Sequence, residues 1–213
     1  ETLKFFRDSL DIPFSDEELE EMPFYNPGKD SPEIKYMLQR REQLHGFIPS
    51  RLAGDIELPM PTSETYSEFD EGTKGDMEVS TTMAFVRLLR TLMRSEEIGE
   101  RIVPIVPDEA RTFGMDPLFS EFGIYAPQGQ NYTPVDHSML MKYKEKKDGQ
   151  ILEEGINEAG AISSFIASGM SYSTQLSPTL PFYIFYSMFG FQRVHDLIWS
   201  AADSRVRGFL MGA

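Results

Sequence analysis

Cysteine is absent from the chain, which removes disulfide scaffolds, thiolate metal sites and cysteine nucleophiles from consideration. Positive charge is scarce as well: 20 Lys and Arg stand against 34 Asp and Glu, a net charge of −14. Recognition of nucleic acid needs clustered cations on one face, and binding to an anionic membrane surface needs them too, so both are excluded as expected functions. No apolar run approaches the roughly 18 residues of a membrane-spanning helix. The opening residues, Glu1-Thr2-Leu3-Lys4, lack the basic-then-apolar pattern of a signal peptide. No Gly-rich phosphate loop occurs. Gly169-Met170-Ser171-Tyr172-Ser173 comes nearest to a nucleophile elbow but lacks the second glycine. His45, His137 and His195 stand apart, without partners at metal-ligand spacing. The chain therefore carries no self-contained catalytic machine, which fits a site completed from elsewhere.

What is present describes a folded protein. A length of 213 residues with 40% hydrophobic and 12% aromatic content is enough to bury a core as one domain with an added subdomain. The acidity keeps such a chain soluble. The start has no initiator Met and the end falls inside an apolar run, Phe209-Leu210-Met211, read as a buried strand. Both features lead us to expect a piece of a longer polypeptide.

Three segments are expected. Residues 1–51 read as a helical lead-in: Ser15 with Glu18 makes a capping box and Phe14 can staple onto Leu19. Ser31 caps a helix with Pro32 at its first position, and Gly46 closes it after Arg40 and Arg41. Residues 52–79 hold Pro59, Pro61, Gly72, Gly75 and many acids without any period, the composition of a linker. From Ser80 helices and strands alternate. Phe85, Leu88, Leu89 and Leu92 share one helical face opposite Arg87, Arg90 and Arg94. Strands are predicted at 102–106, 122–125, 150–156, 182–186 and 208–211. The first is expected near a sheet edge, because Pro104 donates nothing to a ladder. Helices are predicted over 157–169 and 191–202. Alternation of this kind predicts an α/β domain over 80–213, with a doubly wound, mainly parallel sheet.

In such sheets ligands bind outside the carboxyl ends of the strands. Glu158 sits there, in Gly155-Ile156-Asn157-Glu158-Ala159-Gly160, with small neighbours that permit close approach of a ligand. It also has a plain structural use as a first-turn acid behind an Asn cap, worth about 0.3–1 kcal/mol. Asp108, Glu109 and Arg111 follow the 102–106 strand, either to orient a ligand or as a local ion-pair network. In the aromatic run 182–191, alternation puts Phe182, Ile184 and Tyr186 on one face and Tyr183 and Phe185 on the other. Most of these rings are core, but Tyr186 and Phe189 stand where the strand ends, placed to wall a pocket for a flat heterocycle.

The strings 80–87 (STTMAFVR), 108–115 (DEARTFGM), 149–158 (GQILEEGINE) and 181–193 (PFYIFYSMFGFQR), with 36–51 before them, resemble the homodimeric bacterial pyruvate dehydrogenases, specifically their thiamine diphosphate-dependent decarboxylating component. The likeness covers nearly the whole chain, with 52–78 divergent. It implies a transketolase-like pyrimidine-binding middle domain, with the diphosphate-binding and C-terminal domains outside this chain. It also implies the cofactors thiamine diphosphate and Mg2+, a homodimer with the cofactor at the subunit interface, pyruvate as substrate, a lipoyl-bearing dihydrolipoyl acyltransferase as partner, and a bacterial cytoplasmic location. The family's Gly-Asp-Gly…Asn metal motif is missing from these residues, so the metal ligands are expected elsewhere. By position, Glu158 matches the family's catalytic glutamate, and Tyr186 and Phe189 match rings around the aminopyrimidine. Asp108, Glu109, Asp136 and Arg193 match positions near the cofactor or the interface. Two other readings stay open: a non-catalytic dimerisation scaffold, and a thiamine diphosphate enzyme acting on a different 2-oxo acid.

Overall fold

The computed structural model describes residues 1–47, 50–54, 56–70, 72–135 and 143–213. It divides into two units, Glu1–Ser50 and Arg51–Ala213. Among the described residues no helix is long and apolar enough to cross a membrane.

In the first unit, helices α1 (Thr2–Ser9), α2 (Asp16–Glu20) and α3 (Pro32–Gln43) begin and end at strong local signals. Ser15 accepts from the Glu18 N–H while the Glu18 carboxylate accepts from the Ser15 N–H, so the capping box closes. The ring of Phe14, expected to staple onto Leu19, packs edge-on against Tyr25. Ser31 caps α3 through the Ile34 N–H. The chain leaves α3 through His45 and Gly46, both at positive φ, and the Gly46 N–H returns to the Arg41 carbonyl at 2.8 Å. Lys4 and Arg7 converge on Asp16 at 2.7 Å, which holds that carboxyl below its ordinary range.

In the second unit, the segment 52–79 has more structure than its linker-like composition implies. The Leu52 N–H donates to the Ser173 carbonyl at 2.6 Å. A 3-10 turn at Ser63–Tyr66 runs into α4 (Ser67–Asp70), and Glu68 pairs with Arg87. Helix α5 (Thr81–Met93) starts at a Ser80 cap and buries Val86, Leu89 and Met93. On its outer side Arg94 and Arg90 both hold Glu121, and those two hydrogen-bonded cations keep the Glu121 carboxyl below its ordinary range.

The main sheet is parallel, with strands β4 (Leu152–Glu153), β1 (Ile102–Val106), β5 (Leu180–Phe185) and β6 (Phe209–Gly212) in that spatial order. Strands β2 (Ile124–Tyr125) and β3 (Glu145–Lys146) form a separate parallel pair, tied to the first sheet by an Ile124–Ile151 bridge. Strand alternation sends Ile102, Val106, Phe182 and Ile184 to one face, where they pack with Leu89 of α5, Met115 and, from α6 (Asp116–Phe119), Leu118. Ile105, Tyr183 and Phe185 go to the other face, against Ala161, Ile162 and Phe165 of α7 (Glu158–Gly169) and Val194 of α9 (Ser187–Asp203). A single turn, α8 (Ser171–Thr174), follows α7. Helices therefore cover both faces, as a doubly wound α/β sheet requires.

Three details differ from the sequence expectation. Strand β1 is interior rather than near an edge. Its even-numbered carbonyls face β4: that of Val106 accepts from the Glu154 N–H, and that of Ile102 from the Gln150 side chain. The missing N–H of Pro104 points to the same side, but the ladder with β4 begins only at Ile105↔Leu152, so nothing is lost. Strand β6, read as buried, lies at the sheet edge with Phe209 and Leu210 about half exposed. Helix α9 starts at Ser187, four residues before its expected first turn, and is interrupted at Val194, whose φ of −130° and ψ of 15° are not helical.

Candidate active site

Three loops leave the carboxyl ends of β1, β4 and β5, and together they shape one cleft of about 380 Å³. Pro107 and Asp108 come from the β1 end, Ile156 and Glu158 from the β4 end, and Tyr186, Phe189, Gly190 and Arg193 from the β5 end.

The β4 end is built by a turn. Gly155 takes a φ of 68°, a left-handed conformation that suits glycine, and the chain then reverses into α7. Asn157 caps that helix by accepting from the Gly160 N–H at 3.0 Å, so Glu158 is its first residue. This fixes the carboxylate at the positive end of the helix dipole, against the sheet. The Glu158 side chain is only 14% exposed, so it points into the cleft and not into solvent.

At the β5 end Tyr186 follows directly on the strand and occupies the position before the first turn of α9, its ring tilted against Phe113 at 4.7 Å. Phe189 and Arg193, one helical turn apart, present a ring and a guanidinium on the same face, 5.1 Å from each other. Arg193 Nη1 donates to Glu158 Oε1 at 2.6 Å, a charge-assisted bond that joins α9 to α7. Gly190 lets this turn lie close to β5: a Cβ there would come 2.6 Å from the Phe185 side chain.

Of the residues singled out from sequence, Asp108, Glu158, Tyr186, Phe189 and Arg193 line the one cleft. Glu109 does not line it. Its carbonyl accepts from the Thr112 N–H at 3.0 Å and anchors the turn at Ala110–Phe113, while Arg111 pairs with Asp116 at 3.4 Å. Asp136 lies outside the described residues. Ile156, 80% exposed, is a cleft residue that sequence reasoning passed over, although it stands inside the same Gly-Ile-Asn-Glu string. Among the described residues no group of three or more His, Asp or Glu side chains is placed to hold a metal ion.

A second acid near the cleft also escaped the sequence reading. Glu153, at the end of β4, accepts from the Ala110 N–H at 2.6 Å and so fixes the loop that carries Asp108. Burial pushes its carboxyl above the ordinary range; the Ala110 bond partly offsets this, and the charges of Glu109, Glu145 and Asp108 add to it. A carboxyl raised on folding contributes stability that is present below its unfolded pKa and is lost as pH rises through the folded one. Glu153→Gln keeps an acceptor for the Ala110 N–H and removes the charge. The variant is therefore expected to be more stable than the parent at pH 8, by up to about 1 kcal/mol after solvent screening, or roughly 2–4 °C in thermal midpoint. The gap should close towards pH 4. Thermal unfolding followed from pH 4.5 to 8 checks it, and a variant less stable at pH 8 would refute it.

Residues 56–213 match the family model described as the pyruvate dehydrogenase E1 component middle domain. The chain is 57% identical over 212 residues to the pyruvate dehydrogenase E1 component of Pseudomonas aeruginosa, covering 100% of this chain and 24% of that protein. It is 54% identical over 217 residues to the corresponding protein of Mycolicibacterium smegmatis, covering 100% of this chain and 23% of the relative. With that of Escherichia coli K12 it shares 46% over 211 residues, covering 99% of this chain and 24% of the relative. The chain thus spans about a quarter of the length of these relatives. By this match, laid over a parallel α/β sheet with its cleft at the strand ends, the chain belongs to the pyruvate dehydrogenase E1 component family, and residues 56–213 are its middle domain.

Proposed function

We infer that this chain supplies the pyrimidine-binding half of a thiamine diphosphate site in an enzyme that decarboxylates pyruvate and passes the two-carbon unit to a lipoyl group. The carrying observation is Glu158: a nearly buried carboxylate at a helix N-terminus, facing a cleft walled by Tyr186 and Phe189. A flat aminopyrimidine fits such a donor set. The two rings offer faces for stacking, Ile156 and Pro107 offer apolar walls, and Glu158 offers one anionic acceptor for a ring nitrogen. The diphosphate end fits less well on this chain, because Arg193, the one cation among the described residues that line the cleft, is already paired to Glu158. Diphosphate and Mg2+ ligands therefore belong to flanking sequence or to a second subunit, consistent with a homodimer whose site is shared.

When bound, the cofactor supplies the electron sink that makes decarboxylation of a 2-oxo acid possible. The protein's own work is simpler. Tyr186 and Phe189 orient the ring, Pro107 and Ile156 keep water from it, and Glu158 holds a proton at the ring nitrogen. Positioned proton handling of this kind contributes about 10²–10⁴-fold to rate. Arg193 guards the carboxylate until a ring nitrogen takes its place, so binding exchanges one charge-assisted bond for another.

The test is release of carbon dioxide from carboxyl-labelled 2-oxo acids by the full-length protein with thiamine diphosphate and Mg2+. Pyruvate is expected to be the preferred substrate, with its acetyl unit recovered on a lipoyl domain. Preference for a longer 2-oxo acid would move the assignment within the class. No release from any of them would leave the scaffold reading.

A further inference from the structure

Among the described residues Tyr183 carries the buried side-chain polar atom that has no hydrogen-bond partner. The residue is fully buried in the middle of β5, paired with Ile105 of β1, its ring stacked on Phe185 at 4.7 Å and near Phe165 at 6.2 Å. An unpaired phenol in a core is unfavourable by roughly the full desolvation penalty of the hydroxyl. A phenylalanine would fill the same place without it. The hydroxyl therefore calls for an explanation outside packing.

Its surroundings provide one. Tyr183 faces α7, and the α7 residues that share its core cluster are Ala161, Ile162 and Phe165. Glu158 precedes these by three, four and seven positions, so it lies on the same stripe of the helix, one turn nearer the cleft. Arg193 reaches the carboxylate from α9, and the phenol lies beneath the helix on the core side without a hydrogen bond to it. Arg193 takes Oε1, and Oε2 accepts no hydrogen bond from any described residue. The two groups sense each other already: burial first, and the Glu158 charge second, push the Tyr183 phenol well above its ordinary range. Asp108 is the other charged group that faces the carboxylate across the cleft.

We propose that the Tyr183 hydroxyl is a positioning group for Glu158, a donor held unpaired on the core side that takes up the free carboxylate oxygen when a ring nitrogen displaces Arg193, so that the other oxygen stays aimed at the cleft. The group touches neither cofactor nor substrate; it acts through the acid. A donor on the core side has a specific value there. Glu158 must release Arg193 when a ring nitrogen arrives, and a second hydrogen bond keeps the carboxylate from swinging away with the departing guanidinium.

This rests on the proposed role of Glu158, and a double-mutant cycle in the full-length protein separates the two. Thiamine diphosphate affinity is measured by calorimetry for the parent, Tyr183→Phe, Glu158→Gln and the double variant. Tyr183→Phe is expected to weaken binding about 3- to 10-fold, the effect of one net hydrogen bond. On the Glu158→Gln background it is expected to change affinity less than about 2-fold, because the charged group it served is gone. In turnover, Tyr183→Phe is expected to lower kcat and leave KM for pyruvate unchanged. An effect of equal size on both backgrounds, or none on the parent, overturns the positioning role. If Glu158→Gln binds and turns over like the parent, the Glu158 assignment itself falls, whatever Tyr183 does.

Discussion

Glu158→Gln in the full-length protein is expected to slow exchange of the proton at the reactive thiazolium carbon of thiamine diphosphate by about 10²–10⁴-fold. Glutamine keeps the size of the side chain and can still accept a hydrogen bond, so the cleft should survive. What it loses is the strong partner of Arg193 and, on the proposed role, the charge that would hold a proton at the ring nitrogen. Hydrogen–deuterium exchange, quenched with acid at short times, reads this step apart from decarboxylation and product release. The result expected is slow exchange in a protein that still binds the cofactor. Exchange at the parental rate would remove Glu158 from the proton-handling role. Affinity lost entirely, with exchange unmeasurable, would instead assign Glu158 to cofactor binding.

The second large effect is expected at Gly190. Any side chain there begins 2.6 Å from the Phe185 side chain, which is itself stacked on the fully buried Tyr183 ring. Phe185 has no free direction in which to yield, so Gly190→Val must push the first turn of α9 off the sheet. Overpacking of this kind destabilises by roughly 1–3 kcal/mol. For a domain of this size that lowers the thermal midpoint by about 2–12 °C. That turn carries Phe189 and joins Tyr186 to Arg193, so thiamine diphosphate affinity should fall together with stability. Calorimetric scans of the cofactor-free protein, paired with binding titrations, test both parts. Parental stability in the variant would mean that α9 does not depend on the close contact.

Much of the cleft lining was legible in the sequence, for a physical reason. In a parallel sheet the strand direction decides which loops gather at one end, and the apolar runs read at 102–106 and 182–186 place their carboxyl ends to within a residue of those of β1 and β5. Asp108, Glu158 and Tyr186 could therefore be placed near one another without knowing any side-chain direction. Glu109 shows where this stops. It is adjacent to Asp108, yet the turn it begins at Ala110 carries its side chain away from the cleft lining. Turn geometry over two residues depends on the Glu153 carboxylate some forty positions later, which no local pattern contains.

The misreadings have similar origins. Pro104 implied an edge because a ladder on both sides was assumed to run the length of β1, but β4 spans only two residues and starts beyond the proline. The length of a neighbouring strand is not a local property. The beginning of α9 was set too late because Gly190 reads as a turn residue. Its actual use is to bring a helix against a phenylalanine. Alternation did put Tyr183 on the face opposite Tyr186, but the missing partner of its hydroxyl emerges only when three elements are assembled around it.

The break in α9 at Val194 bears on how robust this cleft is to change elsewhere. Phe189 and Arg193 stand on the short arm before the break, whereas Trp199 and the buried Ala201 stand on the long arm after it. An uninterrupted helix behaves as a stiff rod, passing a push at one end to the other through its aligned carbonyl-to-amide bonds. Interrupting that alignment directly after the guanidinium insulates the short arm mechanically. Substitutions on the outward surface of the long arm, at the exposed Trp199 for example, are thereby expected to leave the geometry around the carboxylate unchanged.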